Sequence, residues 1–221
     1  DFFEFFHPPD FVSILQEKSI NTPIEVGPPT IHEICNSLKK LKNNKSYNDL
    51  PPELIKYAVS SENFLNTYKQ ILDQIWKTKI LPESYSHSKM RCLWKGPSKG
   101  TWRDPCNYRP LQVGSTFAKT LCTILLNRMS SWYEGQLLDG QQGFRSSRGT
   151  NDGLFIVKRV QQISCKMKKP IYCLFVDLRA AFDRVNRKFL FDSIAQRFKN
   201  GKNDKNYEAF TILEQLYQKT T

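Results

Sequence analysis

The stretch IYCLFVDLRAAFDRV, residues 171–185, decides the prediction of the fold. Its first six residues are apolar, Pro170 precedes them and Asp177 follows them. A continuous apolar run of this length is typical of a strand that is covered on both faces. We therefore predict a buried strand over residues 171–177, with the Asp177 carboxylate at its carboxyl end.

The position of Asp177 suggests a metal site. Mg²⁺ prefers one or two protein carboxylates together with phosphate oxygens and water, and a strand end would hold such a carboxylate rigidly. The alternative is that Asp177 only begins a turn. The strand pattern by itself leaves both interpretations open.

Two further segments stand upstream in a fixed order: NYRP, residues 107–110, and QQGFRSSRGTND, residues 141–152. Together with FVDLRAAFDRV they resemble the reverse transcriptases of non-LTR retrotransposons. The segment LKNNKSYNDLPPELIK, residues 41–56, is similar to the one that precedes the fingers in that family. Segments in the family's order cover roughly residues 30–200, which an accidental match to one motif would not produce.

The resemblance implies an α+β fold, namely the fingers and the start of the palm of a right-hand polymerase. It implies an N-terminal arm over residues 1–29, a fingers-like region over residues 30–169 and the start of the palm over residues 170–221. It also implies RNA-directed DNA polymerase activity in the complete protein.

The resemblance assigns roles around Asp177, which matches the family's first metal carboxylate. Leu178 matches the position whose backbone carbonyl helps to hold the metal. Phe182 matches the steric gate, a ring that excludes a ribose hydroxyl by overlap; the alternative is a core aromatic that anchors a turn. Asp183 is predicted to be a supporting acid rather than a metal ligand.

Two basic residues are implied for the incoming nucleotide. Arg109 matches the fingers arginine that contacts the triphosphate, and Lys95 stands where the family often has a second base. Arginine offers a planar fork of donors to phosphate oxygens, whereas lysine supplies a compact charge. A solvated lysine at a strand end is the alternative for Lys95.

The block at residues 141–152 is implied to contact the template. Gly143 permits a tight turn, and Arg145 and Arg148 place positive charge beside it. Alternatively, the arginines pair with acids inside the fold, for which Asp152 or Asp139 would serve.

The resemblance implies two Mg²⁺ ions in the complete enzyme, and an RNA template, a DNA primer and deoxynucleoside triphosphates as partners. The family's further carboxylates lie in a downstream Asp-Asp hairpin, but no two acidic residues are adjacent in these 221 positions. We therefore expect no primer extension from this chain by itself. A nucleic-acid-binding remnant without chemistry stays open as the alternative function.

The charge distribution favours a nucleic-acid partner. The chain has 33 Lys and Arg against 21 Asp and Glu, a formal charge of +12. Residues 140–202 hold fourteen bases and four acids, whereas residues 1–34 hold six acids and one base. A clustered basic excess suits a phosphate backbone, and a solvated surface is the alternative.

Cysteine usage and hydropathy indicate an intracellular chain, nuclear or cytoplasmic. The six cysteines contain no Cys-x-x-Cys pair, and the three histidines do not stand near them at ligand spacing. No apolar run approaches the roughly 18 residues of a membrane span, and the opening residues are acidic where a signal peptide would be basic. The sequence does not indicate an oligomeric state.

The spacing of hydrophobic residues and the positions of capping residues, glycine and proline predict mainly helices with few strands. Thr30 and Glu33 have the form of a capping box. The predicted elements are a helix from residue 31 to about residue 42, one or two helices over residues 54–76, a strand over residues 89–95 in a hairpin, a helix over residues 116–133, a helix capped by Thr150, a helix closing near residue 200 and a helix from residue 207 onward.

Overall fold

The computed structural model of the chain describes residues 24–43, 50–178 and 180–219. The predicted arm lies outside these ranges up to residue 23, and most of the polar segment before Pro51 lies outside them as well. The helices are α1 Ile31–Lys39, α2 Pro52–Ala58, α3 Glu62–Thr78, α4 Glu83–Ser86, α5 Thr116–Gln136, α6 Thr150–Met167, α7 Arg187–Ala195 and α8 Glu208–Lys219; the strands are β1 Ser88–Trp94 and β2 Tyr108–Gly114.

The mostly helical composition with one small sheet confirms the α+β prediction at the level of class. Helix α1 begins at the predicted capping box: the Glu33 N–H donates to Thr30 Oγ1 at 3.3 Å, and the Thr30 N–H donates to Glu33 Oε2 at 2.8 Å. These reciprocal bonds satisfy backbone donors that the first turn leaves unpaired. The helix ends at Lys39 rather than near Lys42.

The apolar run over residues 54–76 forms two helices, as predicted. The second is capped by Ser61, whose hydroxyl accepts the Phe64 N–H at 3.4 Å. It ends where Lys79 adopts a left-handed conformation with φ 57° and donates its N–H to the Ile75 carbonyl at 2.8 Å. Helix α1 packs against this helix, α3, and both bury apolar faces.

The predicted hairpin is confirmed. Strands β1 and β2 pair antiparallel, in a register that runs from Ser88 opposite Gly114 to Trp94 opposite Tyr108. Ser115 caps the helix that follows, because its hydroxyl accepts the Ala118 N–H at 3.1 Å. Only that one residue separates β2 from α5, so the position of α5 determines the base of the hairpin.

The later helices are also formed, with two corrections: α7 ends at Ala195 rather than near residue 200, and the cap of α6 differs from the predicted one. Thr150 is the first residue of α6 rather than its cap, and Gly149 precedes it. The Gly149 N–H donates to the Asp152 carboxylate at 2.7 Å. Asp152 thereby caps this helix end, and a carboxylate in a first turn also suits the helix dipole.

The predicted buried strand over residues 171–177 is wrong. Residues 171–178 form no regular secondary structure, and their side chains are exposed, Leu174 at 89%. A strand takes its hydrogen bonds from a neighbouring strand, and in the described part of the chain β1 and β2 pair only with each other. The apolar pattern shows that these side chains favour a buried strand, but a strand also needs a partner strand, which the pattern does not supply.

The chain divides into two compact units. Of the described residues, one unit holds 130–178 and 180–185, and the other holds 24–43, 50–129 and 186–219. The second unit, which we call the hairpin unit, contains most of the buried apolar side chains. Its fully buried members include Ile34, Leu38, Leu72, Leu121, Ile124, Leu125 and Ile212.

Arg128 of α5 binds several groups of the hairpin unit through a buried guanidinium. Its guanidinium donates from Nε to Glu33 Oε1 at 2.6 Å and from Nη2 to Glu33 Oε2 at 2.8 Å. Its Nη1 donates to the Gly27 carbonyl at 2.6 Å, and its Cζ lies 5.4 Å from the centroid of the buried Trp76 ring. The side chain is 3% exposed, so carboxylate, carbonyl and ring together replace the water it has lost.

Gly27 is held from both sides. Its N–H donates to Glu208 Oε2 at 2.7 Å, while its carbonyl accepts from Arg128. Glu208 also pairs with Lys79. With φ at 88°, Gly27 occupies backbone space that L side chains rarely adopt, so the turn requires glycine.

No helix in the described ranges is both long enough and apolar enough to cross a membrane.

We predict that Arg128→Met destabilises the chain by about 3 kcal/mol, because it leaves the Glu33 carboxylate partly buried without its partner. Urea unfolding followed by circular dichroism measures the loss. Lys69→Met is the control, because it removes a base from the more exposed Lys69–Asp73 pair and should cost less than about 1 kcal/mol. Equal losses in the two variants would contradict the role of Arg128.

We also predict that the chain loses stability in acid through Glu33 and Glu208. Burial raises the pKa of each carboxyl, but hydrogen bonds outweigh it, from Arg128 and Thr30 to Glu33 and from Lys79 and Gly27 to Glu208. Each pKa therefore lies below the ordinary value of 4.5 in the folded state. Their contribution is complete above that value and is lost as the pH falls through the folded pKa.

The measurement is the urea midpoint between about pH 6 and about pH 3. The double variant Glu33→Gln with Glu208→Gln should show a shallower decline than the native chain. An unchanged decline in the double variant would show that other groups control acid unfolding.

Candidate functional site

The hairpin brings the predicted Arg109 together with two basic residues that the sequence analysis did not single out. Directly opposed residues of an antiparallel pair share a face, and successive residues alternate between faces. Leu93 lies opposite Arg109 and Arg91 opposite Leu111, so Arg91 and Arg109 share one face, and Lys89 shares it too. We call this the basic face of the hairpin.

Lys95 lies at the end of the same face. Its backbone N–H donates to the Asn107 carbonyl at 2.8 Å, which continues the ladder by one residue beyond β1. Its ammonium is exposed and donates to the Cys106 carbonyl at 2.7 Å. The structure therefore places Lys95 and Arg109 near one end of the hairpin, but one of the lysine's donors is already in use.

The hairpin has few acids to neutralise these bases. Residues 88–114 contain six Lys and Arg and a single acid, Asp104. The Asp104 carboxylate accepts the Cys106 N–H at 2.8 Å and caps the short turn Pro105–Asn107. A solvent-exposed surface of this kind can bind phosphate oxygens by charge-assisted hydrogen bonds.

Asp177 lies in the other unit, in an exposed segment. No described residue forms an ion pair or a hydrogen bond with its carboxylate, and Leu178 beside it is also exposed. A turn follows, in which Ala180 has φ 52° and the Arg184 N–H donates to its carbonyl at 3.2 Å. Asp183 lies in this turn and is exposed.

These residues do not make a complete Mg²⁺ site. The described ranges contain no group of three His, Cys, Asp or Glu side chains that could hold a metal ion. Asp177 could supply one carboxylate, and Mg²⁺ would need phosphate oxygens, water or further acids for the rest of its octahedral shell. We therefore derive no chemical step through a metal.

Phe182 is exposed rather than part of a core. Its ring is 80% exposed and lies edge-on to Phe144, with centroids 6.1 Å apart and ring planes at 87°. Edge-to-face pairs of this kind are favourable and hold both rings in place. The sequence did not single out Phe144, and the available signal was its position inside the QQGFRSSRG block beside Arg145.

The Arg145 guanidinium is buried and forms its hydrogen bonds inside the fold. Its side chain is 7% exposed and pairs with Glu134 through Nε at 2.8 Å and through Nη2. Its Nη1 donates to the carbonyls of Leu138 and Gln141 at 3.0 and 3.3 Å. These contacts favour the alternative of internal pairing, although the acid is Glu134 rather than Asp139 or Asp152.

Arg148 differs from Arg145 in exposure. It is exposed and donates to the Asp139 carbonyl at 2.7 Å through Nη1. Gly143 is exposed as well, but the left-handed positions of this turn are Phe144 and Ser147, with φ 61° and 59°. The turn is therefore made by non-glycine residues, and the Arg145 contacts hold it.

The sequence profile of the family described as "Reverse transcriptase (RNA-dependent DNA polymerase)" matches residues 97–218. The chain is also similar to the RNA-directed DNA polymerase from mobile element jockey of Drosophila funebris, with 25% identity over 193 residues. That alignment covers 80% of this chain and 20% of the relative, so the chain spans about a fifth of the length of the relative it matches.

The chain belongs to the reverse transcriptase family, because the family profile matches more than half of it. The resemblance to the reverse transcriptases of non-LTR retrotransposons is confirmed. The matched range contains Arg109, the QQGFRSSRG block and Asp177. The roles of the individual site residues stay predictions.

We predict that Arg145→Lys destabilises its unit by about 1 to 3 kcal/mol. Lysine keeps the charge but cannot donate at once to Glu134 and to two carbonyls, so a buried cation loses part of its hydrogen bonding. Arg148→Lys is the matched control, because Arg148 is exposed and makes one bond to a backbone carbonyl; it should cost less than about 0.5 kcal/mol. Thermal unfolding compares the two, and equal shifts would contradict a structural role for Arg145.

Proposed function

We propose that this chain forms part of an RNA-directed DNA polymerase of a non-LTR retrotransposon and contributes the surface that binds the incoming nucleotide. The observation that carries the proposal is the basic face of the hairpin, where Arg109 lies with Arg91 and Lys89. The family membership adds the reaction class. In this proposal the hairpin belongs to the fingers, and the segment around Asp177 belongs to the start of the palm.

The basic face fits the triphosphate of a deoxynucleoside triphosphate. In nucleotidyl transfer the primer 3′ oxygen attacks the α-phosphorus, a new phosphodiester bond forms, and pyrophosphate leaves with the electrons of the broken bond. Negative charge therefore grows on the leaving phosphates. The Arg109 guanidinium would donate two parallel hydrogen bonds to them, and Lys95 would add a compact charge.

The proposed cofactor is Mg²⁺, two ions in the complete enzyme, with Asp177 as the ligand from this chain. When bound, the ions would stabilise the attacking and leaving oxygens. Exposure of the Asp177 carboxylate and the absence of a described partner support its availability for this role.

Phe182 is proposed as the steric gate. A ring near the 2′ carbon would overlap a ribose hydroxyl and select deoxynucleotides without a hydrogen bond. Its exposure supports this role over that of a core aromatic, and the edge-to-face contact with Phe144 would limit its movement.

The QQGFRSSRG block is proposed to contact the RNA template through Arg148 and the exposed backbone at Gly143. Arg145 would act by holding the turn, because its guanidinium is buried against Glu134. The DNA primer remains a proposed partner through the family alone.

The test is binding of a deoxynucleoside triphosphate to the 221-residue chain by calorimetry. Arg109→Gln should weaken binding about tenfold or more, because a charge-assisted hydrogen bond contributes about 1.5 to 3 kcal/mol. The affinity of Arg109→Lys should lie between those of the native chain and of Arg109→Gln, because lysine keeps the charge but lacks the planar fork of donors. Arg159→Gln on α6 removes one exposed base elsewhere and is the charge-matched control.

Equal affinities of Arg109→Gln and Arg159→Gln would contradict a specific nucleotide site on the hairpin. The same result would favour the second interpretation, a nucleic-acid-binding remnant without a nucleotide site.

A further inference from the structure

The loop that joins the two strands, residues 95–107, presents a tryptophan to solvent. Trp102 is 64% exposed, although an indole ring normally contributes to a core or an interface. We call residues 95–107 the hairpin loop. Its charges and its internal hydrogen bonds bear on what this ring can bind.

The hairpin loop is a folded structure. The Tyr108 hydroxyl donates to the Trp102 carbonyl at 2.7 Å, and Asn107 Nδ2 donates to the Thr101 carbonyl at 2.9 Å. Gly100 allows the close approach of Asn107, because a Cβ there would lie 2.4 Å from Nδ2. The backbone on both sides of the indole is therefore fixed, while the ring itself points away from a core.

A cation already stacks on this ring. The Arg103 Cζ lies 5.3 Å from the Trp102 centroid, within the range of a cation–π interaction. Trp102 is 64% exposed beside this guanidinium, so much of the residue is accessible to a ligand. A flat π system next to a positive charge is the arrangement on which an unpaired base can stack while its phosphate meets the cation.

The residue that binds the Trp102 backbone, Tyr108, lies on the face of the hairpin opposite to the basic face. Tyr108 and Arg109 are successive residues of β2, so their side chains point to opposite faces. Tyr108 lies opposite Trp94, and its hydroxyl holds the Trp102 backbone. The hydrogen bond that holds the Trp102 backbone is therefore made on the face away from Arg109.

The charge of the hairpin selects the partner. Six bases against one acid over residues 88–114 attract a polyanion rather than an apolar protein surface. A duplex hides the faces of its bases by stacking, so an indole finds an accessible face only on an unpaired base.

We infer that the Trp102–Arg103 pair is a stacking site for the bases of single-stranded nucleic acid. The indole provides the stacking face, and Arg103 provides both the cation–π contact and a charge for the phosphate backbone. This inference rests on the proposed function for its nucleic-acid partner, but it concerns residues other than those proposed for the triphosphate.

The test is fluorescence anisotropy of the 221-residue chain with a labelled single-stranded oligoadenylate and with a labelled RNA duplex of the same phosphate count. Trp102→Ala should weaken binding of the single strand about tenfold or more, because stacking contributes strongly for each base. Trp102→Phe should keep most of the affinity. Duplex affinity should be unchanged, and the salt dependence for the single strand should keep its slope, because no phosphate contact is removed.

Tyr57→Ala is the matched control, because Tyr57 is an exposed aromatic on α2 away from the hairpin and should leave binding unchanged. Arg103→Lys should cause a partial loss, because lysine keeps the charge without the planar stack. Circular dichroism and thermal unfolding of each variant check that the fold is kept. If Trp102→Ala unfolds, Arg103→Lys decides: a partial loss for the single strand supports the stacking site, and native affinity overturns it.

Native affinity in Trp102→Ala would overturn the inference, and so would equal losses for single strand and duplex. Its failure can be told apart from failure of the proposed function. If Arg109→Gln leaves nucleotide binding unchanged while Trp102→Ala loses the single strand, the stacking site stands and the nucleotide site falls. If Arg109→Gln loses nucleotide binding while Trp102→Ala keeps its affinity for the single strand, the nucleotide site stands and the stacking site falls.

Discussion

The burial of the Arg128 guanidinium is the constraint on which the hairpin unit depends. A cation without water is stable only if its donors are satisfied, and Glu33 with the carbonyls of the turn at Gly27 satisfies them here. The interaction fixes α5 against α1 and against the segment at Gly27 that precedes α1. Because α5 follows β2 after a single residue, the same interaction fixes the base of the hairpin. The surface proposed for nucleotide binding is thus positioned by the buried charge of Arg128, which lies outside the hairpin.

Local signals in the sequence were sufficient for most helices and for the hairpin. The Thr30–Glu33 capping box, the period of the apolar residues in α3 and the alternation in β1 depend on neighbours in the chain, and each prediction is confirmed. The run at residues 171–177 failed, because a strand exists only with a partner, and a partner is not encoded in the run itself. The start of α6 differs for another reason: the Asp152 carboxylate rather than Thr150 supplies the cap.

The candidate site was predictable to a lesser extent. The sequence placed Arg109 and Lys95 on a hairpin, and the register then showed which bases share a face. The internal role of Arg145 could not be read from the sequence, because Glu134 stands eleven residues away and two nearer acids, Asp139 and Asp152, competed for the pairing. Phe144 and Trp102 were missed, because an exposed ring and a core ring look alike in a pattern of apolar residues.

The two faces of the hairpin have a consequence for the kinds of change that the protein can absorb. Side chains alternate with a period of two, so loss or gain of one residue in β2 would exchange the faces of every residue beyond it. Arginine would then stand where tyrosine stood, and the surface for phosphate would merge with the surface for rings. Substitutions alter one contact at a time, whereas a single-residue insertion or deletion alters the chemistry of both sides at once. The spacing of this element is thus a stricter requirement than the identity of most of its residues.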